Sequence, residues 1–181
     1  MLLAIKPDTV GWDQYGWRTV SKASEIDPSK GEKWRLLAPY SRASEEHLRL
    51  CQQVWLEGNW CVAVDEMYYE KELGLEPILV RFLAEGRSKR ITAVNGMQRT
   101  AWVNKFTFSE STHFLIGKIQ RAEDQKRIKD ELGRDVWYEV DRLDQFEFIY
   151  YNSHTENIQV VREADVQSAL GAQSNELHAR V

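Results

Sequence analysis

An α/β fold, with a mostly parallel sheet flanked by helices, is what the sequence predicts, and three observations predict it. Short apolar runs of strand length alternate with stretches of helical periodicity, the pattern of successive β-α units. The run Asn59–Glu66 (NWCVAVDE) is almost continuously apolar and ends in two adjacent carboxylates, as expected of a strand buried on both faces under helices. Polar groups follow three strand ends in series: Lys6-Pro7-Asp8, Asp65-Glu66, and Asn95 with Gln98-Arg99. If those strands run parallel, all three ends share the carboxyl edge of the sheet, where open α/β sheets hold their ligands.

The elements follow in order. Residues 2–6 read as a first strand. Residues 7–33, rich in Gly, Asp, Ser, Lys and Trp, read as a long loop with one turn of helix, and Trp34–Ala38 as a second strand stopped by Pro39. Ser41 or Ser44 caps a helix over Ala43–Glu57, with Leu48, Cys51, Val54 and Trp55 on its apolar face and Gly58 at its end. After the central strand, MYYEKELGLEP reads as a loop, and Pro77 opens a helix to Glu85 with Ile78, Leu79, Phe82 and Leu83 inward. Gly86 and the basic run Arg87-Ser88-Lys89-Arg90 precede a strand at Ile91–Val94. A short helix over Thr100–Phe106, a strand at His113–Ile119 and a charged helix over Ala122–Leu132 come next. Phe146–Tyr151 and Ile158–Arg162 form a C-terminal hairpin. Residues 1–163 are assigned to one domain and 164–181 to a flexible tail, with no internal repeat or linker.

Composition narrows the function classes. The net charge of −4 argues against a free basic nucleic-acid-binding domain, while leaving room for contact through a few loops of a ring. The seven tryptophans suit a core or an interface better than base stacking. The two cysteines, Cys51 and Cys61, make neither a disulfide framework nor a zinc motif, and Cys61 reads as a small core residue. None of His47, His113, His154 and His178 has a partner at ligand or triad spacing, so all four read as structural or exposed. No apolar stretch approaches the roughly 20 residues that span a bilayer, and no signal peptide is visible, which points to the cytoplasm. An apolar strand that begins at Met1 implies that further chain once preceded it.

The chemistry gathers on Asp65 and Glu66. One acid at a strand end can hold a hydrated Mg²⁺ and the next can orient a water; the alternative is a strand that simply ends in a solvated turn. The downstream segments EGRSKR, ITAVNGMQRTAWV, FTFSESTHFLIGKI and AEDQKRIKDELG follow in a fixed order. In that order, residues 59 to about 132 resemble the second half of an additional-strand P-loop ATPase of the FtsK/HerA type, a group that includes DNA translocases and viral and phage packaging ATPases. NWCVAVDE is similar to the family's Walker B strand and NGMQRT to its Gln-Arg sensor segment, where T-Q-R-P is common. Residues 1–8 resemble the strand after the family's first helix.

The resemblance implies a RecA/FtsK-HerA-like core truncated at its N-terminus. Asp65 would support the Mg²⁺ shell, Glu66 would polarise the attacking water, and Gln98 would sense the γ-phosphate. Arg87 or Arg90 would reach a neighbour's phosphates as an arginine finger; their bland alternative is an exposed charged face. ATP and Mg²⁺ would be the cofactors, DNA the partner, and a homo-oligomeric ring in the host cytoplasm, without membrane contact, the working form. The chain departs from the family in two respects: no G-x-x-x-x-G-K-[ST], the phosphate-cradling loop, occurs in residues 1–181, and the sensor segment Gly96-Met97-Gln98-Arg99-Thr100 lacks the usual proline but keeps the glutamine. The expectation is therefore a portion of an ATP-hydrolysing DNA translocase or packaging motor that does not turn over ATP alone. Two rivals remain open: a non-catalytic α/β interaction subunit using its aromatic surface, and a metal-dependent nuclease using Asp65, Glu66 and Glu70.

Overall fold

A computed structural model describes residues 1–4, 12–162 and 164–165. Contacts divide the chain into two compact units, Met1–Glu110 and Ser111–Val181, whereas the sequence places a boundary after residue 163. Residues 5–8 of the expected first strand end, His178 and nearly all of the expected tail lie outside the described residues.

The first unit holds a five-stranded sheet: β1 (Leu2–Ala4), β2 (Trp17–Val20), β3 (Lys33–Leu37), β4 (Cys61–Val64) and β5 (Thr92–Asn95). Its order is β2-β3-β1-β4-β5, and every neighbouring pair is parallel. The mostly parallel sheet expected from the sequence is therefore present. Its helices are α1 (Tyr40–Glu57), α2 (Met67–Glu72), α3 (Glu76–Glu85) and the short α4 (Phe106–Ser109). Trp34, Leu36, Leu3, Val62 and Val64 from the strands, with Leu50, Val54, Leu79 and Phe82 from the helices, form the buried core.

Several expectations are corrected here. The stretch 7–33 is not all loop: it contains β2 and three 3₁₀ turns at Trp12–Tyr15, Ala23–Glu25 and Pro28–Lys30. β2 is an edge strand with one buried residue, Val20, so it lacks the apolar run that marks an inner strand. Helix α1 begins at Tyr40 after Pro39, with no side-chain cap from Ser41 or Ser44. Its buried face is Ala43, Glu46, His47, Leu50, Cys51 and Val54, while Leu48 is exposed. MYYEKE is helix α2 rather than loop. Residues 100–106 form a 3₁₀ turn at Thr100–Trp102 and the start of α4, not one helix.

Cys61 is exposed rather than a core residue. The register pairs Leu2 with Ala63, so Cys61 meets the β1 side only through the Met1 amine, which donates to its carbonyl at 2.7 Å, and its partner in β5 is exposed Thr92. One face of β4, Val62 and Val64, is fully buried; the other, Cys61 and Ala63, is only partly covered. β4 thus ends in the expected acids but is not buried on both faces.

The second unit is an antiparallel sheet of β6 (His113–Gly117), β7 (Glu147–Asn152) and β8 (Asn157–Arg162). The β7–β8 hairpin is as the sequence predicts. β6 joins this hairpin instead of the parallel sheet, because Phe114 and Ile116 pair opposite Tyr151 and Ile149 on one apolar face. That face packs with Val136, Val140 and Leu143. Helix α5 (Ala122–Leu132) matches its expected bounds, and α6 (Arg134–Asp141) follows after Gly133. The sequence does not reveal α6, since only Val136 and Val140 of RDVWYEVD are fully buried.

Candidate functional site

β4 and β5 run in register to their carboxyl ends, with Val64 opposite Asn95. The backbone pairing then continues past both strands. The Gly96 N–H donates to the Val64 carbonyl at 2.7 Å, and the Met67 N–H donates to the Gly96 carbonyl at 2.9 Å. The Asp65 N–H donates to the Leu3 carbonyl of β1 at 3.2 Å. A Cβ on residue 96 would overlap the Asp65 carbonyl oxygen and press on that of Val64, both rigid backbone atoms. Only glycine lets the two strand ends approach this closely.

This zippering sets Glu66. The residue is extended (φ −142°, ψ 103°) and caps α2, its side chain accepting from the Tyr68 N–H at 3.5 Å. The same carboxylate accepts from the Gln98 N–H at 3.2 Å through Oε2 and 3.4 Å through Oε1. A half-buried carboxylate is thereby clamped between a helix N-terminus and the backbone beyond β5. Asp65 beside it is exposed at the strand end.

The structure therefore brings Asp65, Glu66 and the Gln98 segment together on the carboxyl edge. Gln98 meets Glu66 through its backbone, and its side chain is exposed. Lys6, Pro7 and Asp8, the third strand end, lie outside the described residues. Arg87 and Arg90 do not join this cluster. Both are exposed in and after the 3₁₀ turn Gly86–Lys89, which precedes β5 and so lies at the amino edge of the parallel sheet. The same edge holds Gly58, where a Cβ would meet the Lys89 carbonyl oxygen at 2.6 Å.

Behind the edge is a pair that the sequence does not announce. His47 of α1 and Glu70 of α2 are both buried, with His47 Nδ1 at 3.0 Å from each Glu70 carboxylate oxygen. Glu70 lies one helical turn after Glu66, and its N–H reaches the Glu66 carbonyl at 3.5 Å. Cys51, one turn beyond His47 on the buried face of α1, has its thiol pushed well up by burial, with the Glu70 charge adding to the effect. Two things hide the pair: assigning 67–72 to a loop removes the inward side of Glu70, and choosing Leu48 over Leu50 rotates His47 outward. The spacing Ala43, His47, Leu50, Cys51, Val54 is the signal that would have found it. Glu70 faces His47, so it is not a third acid beside Asp65 and Glu66. Among the described residues, no group of three or more His, Cys, Asp or Glu side chains could hold a metal ion. The other described histidines fit their expected roles: His113 is exposed and bonded to the Tyr150 hydroxyl at 2.8 Å, and His154 is exposed.

No protein-family profile matches the chain. In sequence it is similar to the DNA packaging ATPase P9 of Enterobacteria phage PRD1, 28% identical over a 119-residue alignment that covers 62% of this chain and 52% of that protein. The chain thus spans about half the length of the curated relative it matches. In structure it is similar to the genome packaging NTPase B204 of Sulfolobus turreted icosahedral virus 2. Against the sulfate complex the TM-score is 0.70 at 14% identity, covering 89% of this chain and 79% of that one. Against the ATP-gammaS complex it is 0.67 at 13% identity, covering 89% and 81%. The chain has the fold of a viral genome packaging NTPase.

Proposed function

We propose that this chain is the part of an ATP-hydrolysing DNA-packaging motor, of the FtsK/HerA type, that supplies the Walker B acids and the sensor. The observation that carries this reading is the Glu66 carboxylate held by the Gln98 backbone N–H on the carboxyl edge of a parallel sheet. The packaging ATPase relative and the packaging NTPase fold support it.

Glu66 orients the attacking water and takes up its proton as the water bonds to the γ-phosphorus and the β,γ-bridging oxygen leaves. Two backbone N–H groups keep the carboxylate in one rotamer, so it is positioned before the substrate arrives. Because the Gln98 backbone shares that carboxylate, a displacement of Glu66 during turnover pulls on the segment after β5, which couples hydrolysis to movement. Asp65 offers one exposed carboxylate, which fits an ion that takes one or two protein carboxylates through water and completes its shell with phosphate oxygens. Bound Mg²⁺ would neutralise phosphate charge there. Arg87 and Arg90, a strand length away on the opposite edge, serve as arginine fingers only toward a neighbouring subunit in a homo-oligomeric ring, in the host cytoplasm. Among the described residues no helix is long and apolar enough to cross a membrane.

Residues 1–181 contain no G-x-x-x-x-G-K-[ST], so the chain alone binds ATP weakly and does not turn it over. The test compares steady-state ATP hydrolysis by residues 1–181 with that of a form extended upstream through such a loop. Activity only in the extended form is expected; strong activity of residues 1–181, lost in Glu66→Gln, would show that the loop is dispensable.

A further inference from the structure

Glu66 is the N-cap of α2, so the aim of its carboxylate depends on how α2 is held. The helix has six residues, fewer than two turns, and only Met67 and Glu70 are buried. One apolar side chain sets the depth of such a helix but not its rotation, because hydrophobic attraction has no direction. Directed bonds to α1 supply the rotation. His47 Nδ1 sits 3.0 Å from both Glu70 carboxylate oxygens, and Ser44 Oγ donates to the Leu73 carbonyl, just past α2, at 2.8 Å. Ser44 and His47 lie one turn apart on α1, an 18-residue helix anchored in the core by Ala43, Leu50 and Val54. The link back to the cap is short: the Tyr69 and Glu70 N–H groups donate to the Glu66 carbonyl at 3.1 and 3.5 Å.

As a source of stability the pair is a poor choice. His47 is 0% and Glu70 1% exposed, and His47 Nε2 is buried with no hydrogen-bond partner among the described residues. A buried polar pair with one ring nitrogen unsatisfied holds two helices together less well than two packed leucines would. What it adds is direction: a carboxylate centred on one ring nitrogen fixes where Glu70 lies around the α2 axis. We infer that His47 and Glu70 are positioning residues for Glu66. Acting through α2, they aim its carboxylate at the Gln98 N–H and at the water it activates. The inference rests on the proposed function for the reaction that Glu66 serves; the aim of Glu66 itself is a property of residues 1–181 without nucleotide.

The experiment is residue-resolved amide exchange on residues 1–181, comparing Tyr68 and Gln98, the two N–H donors to Glu66, with Val62 of β4. His47→Leu/Glu70→Leu replaces the directed bond by apolar contact. Relative to Val62, Tyr68 and Gln98 should exchange about five-fold faster or more in that variant, with circular dichroism melts confirming that it folds. His47→Asn keeps an N–H donor near the place of Nδ1 and should stay within about two-fold of the unaltered protein. In the form extended upstream through a phosphate-binding loop, the double variant should lose about ten-fold in kcat while KM for ATP stays within about two-fold, the split expected of a misaimed water activator. Unchanged exchange ratios in the double variant, a loss in His47→Asn as large as in the double variant, or an unaltered kcat would each overturn the inference. Exchange unchanged while Glu66→Gln abolishes turnover would remove the positioning role and leave the proposed function standing. Turnover retained in Glu66→Gln would remove the proposed function, and with it the positioning of a water activator, even where the exchange ratios move.

Discussion

At Gly96 a single missing Cβ decides whether the candidate site exists. Gly96→Ala forces the backbone of β5 away from the Asp65 carbonyl. A loss of about 1–3 kcal/mol is expected in urea denaturation, the usual cost of forcing atoms into packed space. Amide exchange at Gln98 should rise more than at Val62, since the Gln98–Glu66 bond depends on that approach; equal changes would separate the glycine from the site. The buried pair behaves differently. His47→Leu leaves the Glu70 carboxylate buried without its imidazole, which is expected to cost about 3 kcal/mol or more. The double variant His47→Leu/Glu70→Leu should recover more than half of that loss, because both polar partners leave together. Additive losses in the same denaturation series would mean that the two side chains do not act as a pair. The sequence displayed Asp65, Glu66 and Gln98 but not what holds them. The clamp runs through backbone N–H groups of Tyr68 and Gln98 and the missing side chain of Gly96, which no residue-type pattern records.

Elements were legible where one side of the chain is continuously apolar and hidden where it is not. β1, β3, β4, α3, α5 and the β7–β8 hairpin stand close to their expected positions. β2 and α6 were invisible because each buries only one or two residues. Helix α2 was hidden for another reason. Its inward residues are Met67 and Glu70, and a buried glutamate does not register as an apolar face until His47 is known to meet it. Residues 7–33 looked like loop although they are tied to α1 by a buried bond, from the Ala23 N–H to Glu46 Oε2 at 2.8 Å. In the second unit the hairpin carries its own electrostatic latch. Glu147 accepts from the Asp144 N–H at 3.0 Å and from Arg162 Nε at 3.0 Å, and these bonds hold its carboxyl below the usual range. A depressed carboxyl contributes stability that is present above the unfolded pKa and lost as pH falls through the folded one. Amide protection of β7 and β8 should therefore decline on acidification below the ordinary glutamate range. Glu147→Gln should flatten that decline; an unchanged profile would remove the latch.

At the scale of the whole molecule, the parallel sheet and the packaging-ATPase fold were readable because β-α alternation and strand-end acids survive in order along the chain. The antiparallel pairing of β6 was not, since a strand's partner is chosen by the face it shares and Phe114 and Ile116 read equally well in either sheet. The edge geometry reduces the functional question to Glu66, held by two backbone donors where open sheets take their ligands. The decisive measurement is single-turnover ATP hydrolysis by a form extended upstream through a phosphate-binding loop, comparing the unaltered protein with Glu66→Gln. We expect turnover to fall by about a hundred-fold or more while ATP affinity changes little. Hydrolysis by Glu66→Gln at a rate close to that of the unaltered protein would contradict the assignment of Glu66 as the residue that activates water.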